Sequence, residues 1–453
     1  MEVAGKKVLI IGAARSGIAC ASFLAARGAR VALHDRKPLA EWEPDAVALK
    51  GESVGLVPGE VPGWLLDQLD LVVVSPGVPS KSIPLRYAER AGVEVIGEIE
   101  FAARFLQGRI IGITGSNGKT TTTSLTGELL RNAGITAQVG GNIGQPLISL
   151  VETSRPDGWS VVELSSFQLE TIKEFHPQVA VVLNVTPNHM DRYESFTEYA
   201  AAKHRIFMNQ VLGDLAVLNA ADPLVSSWAN GLRASVVSFN VMGELPEGVF
   251  LRGTEIVSRT RDAERTLLTR ADMKLRGLHN VENVLAAICV GLACGVSPES
   301  MRETIRNFRP VEHRLEFVSE IGGVKFYNDS KATSVDATVK AVEAFDDEPG
   351  QIILILGGRG KKAPYSPLAH LVEKRVRQLV LIGEDAGTIA AELGTVAPVQ
   401  NANSMGEAVQ KAFKAAGPSD IVLLAPACAS FDMFKDFEER GRVFKDEVRK
   451  LRS

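Results

Sequence analysis

The chain has 453 residues, 45% of them hydrophobic and 23% charged, with a formal net charge of -4. That length exceeds a single ordinary core and calls for two or three domains. The charge balance offers no general pull toward nucleic acid or an anionic membrane, so neither is expected as a partner.

Short β-branched runs alternate with helical patterns along almost the whole sequence, which predicts parallel α/β sheets. Gly5-Lys6-Lys7 leads into the short apolar run Val8–Ile11, which stops at a glycine turn and so does not resemble a signal peptide. A helix near Ile18–Arg27, a strand Arg30–His34 ending at Asp35, and a strand Leu71–Ser75 running into Pro76-Gly77-Val78-Pro79 complete a first block ending around Gly97. Its turn, Gly12 to Gly17, resembles a dinucleotide fingerprint with Ala14 in place of the middle glycine. Asp35 stands where such folds contact a ribose or base. NAD, or a nucleotide-like group on a substrate, would both suit that turn.

A second block opens with the strand Arg109–Ile113, enters Thr114-Gly115-Ser116-Asn117-Gly118-Lys119-Thr120, and continues as a helix to about Asn132. Glycines there let backbone N–H groups converge on phosphate oxygens, and the helix N-terminus adds positive potential. Lys119 would neutralise the β/γ-phosphates of ATP and the Thr120 hydroxyl would bind Mg²⁺. Position 113 is Ile where the usual pattern has Gly, so the loop is a variant. Strands follow at Ser160–Leu164, Val179–Val185 and Leu215–Asn219, with short β hairpins expected over residues 230–275. Glu163, at a strand end, can point toward a metal held by Thr120. His189 lies just after a strand, where a single His is more often structural. Lys203, on a helix Glu198–Met208, reads from spacing alone as a surface lysine. Asn280 and Asn283 open a helix Val281–Ala293, with Asn280 a possible N-cap. The third block repeats the rhythm with strands Gly323–Tyr327, Gln351–Leu356, Gln378–Ile382 and Asp420–Leu424. Cys20, Cys289, Cys294 and Cys428 lack zinc spacing, and a reduced cytoplasm is expected. The expected fold is α/β in three domains: a Rossmann-like N-terminal domain (1–97), a central P-loop ATPase-type domain (98–310) and a Rossmann-like C-terminal domain (311–453).

Taken in order, Thr114–Thr121, Gly140-Gly141-Asn142-Ile143-Gly144, Glu163–Glu170, His189-Met190-Asp191-Arg192-Tyr193, Ala202-Lys203, His279–Asn283, Glu312-His313-Arg314, Asn328–Thr333, Gly357–Lys361 and Pro426–Asp432 resemble the Mur ligase family over essentially the whole chain. The resemblance implies an ATP-dependent ligase joining D-glutamate to UDP-N-acetylmuramoyl-L-alanine, acting as a cytoplasmic monomer. It further implies that Arg15, Ser16, Asp35, Arg36, Ser75 and Gly77 approach the UDP, and that Asn142 and His189 approach the muramoyl-alanine part. ATP would meet Gly115, Ser116, Asn117, Gly118, Lys119, Thr120, Thr121, Asn280, Arg314 and Asp329. Lys203 would carry a carbamate and, with Thr120, Glu163 and His189, serve two Mg²⁺ ions. Thr333, Lys361, Ser430 and Phe437 would line the amino-acid pocket, with Arg359 and Lys362 as rival cations beside Lys361. Rival readings are a sibling ligase for folate, lysine or diaminopimelate, a P-loop switch that makes no bond, and a dehydrogenase using the first block.

Overall fold

The structure is a computed structural model; residues 1–51, 53–79, 82–188, 192–309, 312–346, 348–361 and 363–452 are described, with only the backbone of Ile83. His189, Met190, Asp191 and Lys362 therefore lie outside the described residues. The chain divides into two compact units, 1–270 with 282–305, and 271–281 with 306–453. Three sheets are distributed between them.

The first unit holds two sheets. Strands β1 (Lys7–Ile11), β2 (Arg30–Asp35), β3 (Val54–Pro58), β4 (Leu71–Val74) and β5 (Glu94–Gly97) form a parallel sheet in the order β3-β2-β1-β4-β5. β1 and β4 are almost wholly buried, as expected when helices cover both faces of a parallel sheet. The second sheet contains β6 (Arg109–Thr114), β7 (Ala137–Gly141), β8 (Trp159–Glu163), β9 (Val179–Val182), β10 (Leu215–Asn219), β11 (Ser235–Asn240), β12 (Gly248–Arg252), β13 (Glu255–Arg259) and β14 (Glu264–Thr269). Its order is β14-β13-β12-β11-β10-β9-β6-β8-β7, so β6 lies between β9 and β8. The region expected to form only hairpins is different: β11 and β12 extend the parallel run from β10, and only β12–β14 pair antiparallel.

A helix Glu98–Ala103 leaves β5 and joins the two sheets. Its buried Glu100 accepts backbone N–H groups from Lys173, Glu174 and Phe175, and also the Arg104 side chain. Phe101, with Phe23 and Phe105, forms an edge-to-face aromatic cluster. Burying each such ring contributes roughly 2 kcal/mol. The joint is therefore both apolar and hydrogen-bonded.

The second unit carries β15 (Glu316–Ile321), β16 (Val324–Asn328), β17 (Ile352–Gly357), β18 (Val376–Ile382), β19 (Val399–Asn401) and β20 (Ile421–Leu424) in the order β15-β16-β20-β17-β18-β19. Apart from the antiparallel β15–β16 pair, the sheet is parallel. Apolar side chains on both faces, such as Leu354 and Leu423 on one and Ile355 and Val422 on the other, build two cores. Among the described residues no helix is long and apolar enough to cross a membrane.

Candidate active site

The phosphate loop follows β6 and gives way to the helix Lys119–Asn132. Ile113, the departure from the usual glycine, is fully buried in the strand and belongs to the core. Gly118 caps the helix in the left-handed region at φ 82. A Cβ there would lie 2.1 Å from Asn283 Oδ1, so only glycine lets that buried asparagine approach. Ser116 Oγ donates to the Thr186 carbonyl at 2.9 Å and pairs with the Tyr199 hydroxyl at 2.9 Å. Asn117 N–H donates to Asn184 Oδ1 at 2.9 Å. Lys119 Nζ reaches back over the loop to the Gly115 and Ser116 carbonyls at 3.0 and 3.1 Å.

Strand register delivers the acid. Glu163, at the end of β8, pairs with Ile113 of β6 on one side and Gly141 of β7 on the other. It is 2% exposed. Asn142 Nδ2 donates to its Oε1 at 2.8 Å, while its Oε2 is buried with no hydrogen-bond partner among the described residues. A buried carboxylate oxygen left in this state is costly unless something charged meets it. The donor set thus fits a hard divalent cation.

Lys203 corrects its plain reading as a surface lysine. It lies on the helix Phe196–His204, is 1% exposed, and donates to the Gly115 carbonyl at 2.8 Å. Burial, then the charge of Lys119, hold its ammonium well below the usual lysine range, with Glu163 pulling weakly the other way. Two lysines thus converge on one carbonyl beside the loop. Tyr199, one turn earlier on that helix, has its ring under Lys203 Nζ at 4.8 Å and its hydroxyl on Ser116. Neither Tyr199 nor Asn283 is marked as a site residue by the sequence alone; helical spacing to Lys203 is the signal that could find the tyrosine.

Beside the first sheet, Arg15, Ser16, Asp35, Arg36, Ser75 and Gly77 all line one cavity of about 520 Å³. Ala14 lines it too, with extended backbone at the cap of the helix Arg15–Ala25. Asp35 Oδ2 accepts the Ala13 N–H at 3.1 Å, and an Arg15 Nη donates to the Gly144 carbonyl. Asn142 does not line this cavity; it belongs with Glu163.

In the second unit, Asn280 is not the N-cap: the helix starts at Leu278, after Gly277 at φ 81, and Asn280 Nδ2 donates to the Arg276 carbonyl at 2.7 Å. Asp329 is buried, and burial pushes its carboxyl up to about 7 although Arg314 pulls it down. Lys361 Nζ lies 3.4 Å from Thr333 Oγ1. Arg359, its rival cation, is instead paired with both Glu384 oxygens at 3.0 and 2.9 Å. Ser430 is buried, and Phe437 begins the last helix, where Lys331 Nζ lies 3.8 Å from its ring centroid. Fully buried Arg440 binds the Ser330 and Cys428 carbonyls at 2.8 and 3.1 Å, bracing both loops. Glu312, His313 and Glu316 cluster closely, but Lys445 Nζ meets both carboxylates at 2.6 and 2.9 Å. That cluster is an ion-pair network.

Fold and site together define a phosphate-loop enzyme with a buried acid and a buried, depressed lysine beside the loop. Family models match in three stretches: Mur ligase MurD-like, N-terminal domain, at residues 6–97; Mur ligase middle domain at 113–291; and Mur ligase, glutamate ligase domain, at 313–428. The chain is 49% identical over 451 residues to the UDP-N-acetylmuramoylalanine--D-glutamate ligase of Solibacter usitatus (strain Ellin6076), covering 100% of this chain and 99% of that one. Identity is 47%, with the same coverage, to the protein of that name from Koribacter versatilis (strain Ellin345). Among solved structures, a pseudomurein peptide ligase type C from Methanothermus fervidus aligns with a TM-score of 0.62 at 18% identity, over 99% of this chain and 100% of that chain. A UDP-N-acetylmuramate-alanine ligase from Thermotoga maritima gives 0.62 at 20%, over 98% and 100%. At such identities these two speak for the fold alone. The chain belongs to the Mur ligase family. It is an ATP-dependent ligase that forms an amide bond.

Proposed function

We propose that this ligase joins D-glutamate to the L-alanine carboxylate of UDP-N-acetylmuramoyl-L-alanine in the cytoplasm, yielding ADP and phosphate, as a step in peptidoglycan precursor synthesis. The observation that carries the choice of substrates is full-length likeness, at 45% identity or more, to relatives of that printed name. In this reading residues 1–97 hold the UDP, 98–310 the ATP, and 311–453 the incoming amino acid. The protein acts as a monomer.

A carboxylate does not acylate an amine at neutral pH, because oxide would have to leave. Attack of a carboxylate oxygen on the γ-phosphorus breaks the bond to ADP and gives an acyl phosphate. The amine of D-glutamate then adds to the acyl carbon, the proton goes to solvent, and phosphate departs. Repulsion between carboxylate and γ-phosphate is the main obstacle. Lys119, freed from the loop carbonyls, would neutralise the phosphate tail. Thr120, Glu163, His189 and Lys203 would hold two Mg²⁺ ions, which supply further charge neutralisation when bound. Lys203 suits that task only as an anion: its neutral amine, favoured by burial, can add CO₂ and lose a proton to become a carbamate. Asn142 leaves one Glu163 oxygen available. Asn280, Arg314 and Asp329 would approach the nucleotide, and Thr333, Lys361, Ser430 and Phe437 the amino acid, with Lys361 a cation for its side-chain carboxylate.

The test is ADP release with UDP-N-acetylmuramoyl-L-alanine and D-glutamate, each omitted in turn. Release that needs both supports the reading. Release indifferent to the amino acid, or driven instead by L-lysine or diaminopimelate, refutes the assignment.

A further inference from the structure

Within the second unit, two segments carry residues assigned above to the amino-acid pocket: Gly357–Lys361, which leaves the last residue of β17, and Pro426–Phe431, after β20. Their backbones meet twice: Gly357 N–H donates to the Pro426 carbonyl at 2.9 Å, and Arg359 and Ala429 exchange N–H···O bonds of 2.9 and 3.0 Å. A side chain from outside both loops adds a third link, beyond these backbone bonds. Tyr365, 2% exposed, donates its hydroxyl to Asp385 Oδ2, and that hydroxyl lies 3.0 Å from Cys428 Sγ.

Each partner of the hydroxyl is fitted to one loop. Asp385 N–H donates to the Gly358 carbonyl at 3.0 Å. A Cβ on Gly360 would lie 2.0 Å from Asp385 Oδ2, so this carboxylate packs directly on the residue before Lys361. Cys428 belongs to the other loop, just ahead of Ser430, and its carbonyl is held by Arg440. Burial raises the Cys428 thiol to about 11 and pushes the Tyr365 phenol further above its ordinary range, so both keep their protons at neutral pH. The hydrogens then run in one direction, from thiol to phenol to carboxylate. Burying a phenolic oxygen without such partners would be unfavourable, and phenylalanine would fill the same apolar space at no such cost.

We propose that the Tyr365 hydroxyl, bridging Asp385 and Cys428, fixes the separation of Lys361 from Ser430 and is a positioning residue for the amino-acid pocket. The proposal rests on the pocket reading given above. Tyr365 is buried and acts through the two loops, whose spacing a bound amino acid must match closely.

The experiment uses the full-length protein and begins with the wild type, screening D-glutamate, L-glutamate, L-lysine and diaminopimelate for amino-acid-dependent ADP release. That screen decides the substrate reading by itself and supplies the amino acid with which the variants are then measured. Tyr365→Phe removes one oxygen. The KM for that amino acid is expected to rise roughly three- to tenfold, with kcat within about twofold and the KM for ATP unchanged. Cys428→Ala should shift the amino-acid KM in the same direction and Cys428→Ser should restore it, since a hydroxyl can donate to the phenol. An unchanged amino-acid KM in Tyr365→Phe overturns the proposal. So does an equal rise in both KM values, which would mean general loosening, or a Cys428→Ser variant no better than Cys428→Ala.

Discussion

Two turns in the first unit share one topology and differ in chemistry. At both β1–Gly12 and β6–Gly115 a buried parallel strand ends in glycine and a helix begins within a few residues. Each helix N-terminus favours negative charge. At the second turn the loop is cross-tied by Ser116 and Asn117, and Lys119 and Lys203 are drawn onto one carbonyl. At the first there is no lysine in the turn. Instead it opens on a cavity of about 520 Å³, with Arg15, Arg36 and Asp35 around it. The backbone offers an anion site in both places, and the side chains decide which end of a nucleotide suits it. A concentrated cation suits a triphosphate tail, while a roomy pocket with one acid and two arginines suits a nucleoside diphosphate.

The largest test of that contrast is Lys119→Ala. ADP formation should fall about a thousandfold or more, while calorimetric affinity for the UDP-linked substrate stays within about twofold. Near-normal turnover would sink the role of Lys119, and lost UDP affinity would show that the turns are not separable. Lys203→Ala comes next, with turnover down roughly a hundredfold. Wild-type activity should also drop in CO₂-depleted buffer and recover on adding bicarbonate. A variant as mild as an exposed-lysine substitution, with no CO₂ response, would end the carbamate assignment. Arg15→Ala is smaller: the KM for the UDP-linked substrate should rise about tenfold with the KM for ATP unchanged. The reverse pattern would exchange the roles of the two turns.

How much of this is legible in the sequence depends on how local each feature is. The phosphate loop is a run of adjacent residues with its own strand and helix, and it stands out at once. The residues of the first cavity emerge as a set, through resemblance; each lies at the end of a strand, in the turn after it, or in the first turn of the helix that follows. Lys203 looks like a surface residue because its helix pattern says nothing of what covers it. The Asn142–Glu163 pair depends on β7–β8 register, which no short window reveals. The strand expected to run to Val185 stops at Val182 because Asn184 turns to receive Asn117. Asn280 looks like a cap because the helical turn starting at Leu278, behind Gly277, carries little periodicity of its own. Short strands with glycine or proline inside them, such as β3 and β7, carry too weak a pattern to be noticed.

The helix between the two sheets offers the smallest and most discriminating test. Glu98 is 2% exposed; its Oε1 accepts the Ile148 N–H at 2.8 Å, and its Oε2 is buried with no partner among the described residues. Burial raises its carboxyl from 4.5 to about 7, only partly countered by backbone N–H groups of Ile148 and Leu147. The folded protein therefore keeps a proton that the unfolded chain releases above about pH 4.5. This contribution to stability is complete below the unfolded pKa and is lost as pH rises through the folded one, near 7. The slope approaches about 1 kcal/mol per pH unit between those limits. Glu98→Gln keeps the shape and removes the titration, so its Tm should vary less than that of the wild type from about pH 5 to about pH 8. Asp329, raised to about 7 in the other unit, leaves a residual slope in both proteins. If the variant's Tm profile is as steep as the wild type's, Glu98 does not hold the proton. If the profile flattens while the pH dependence of turnover stays the same, the proton belongs to the joint between the turns and to neither turn's chemistry.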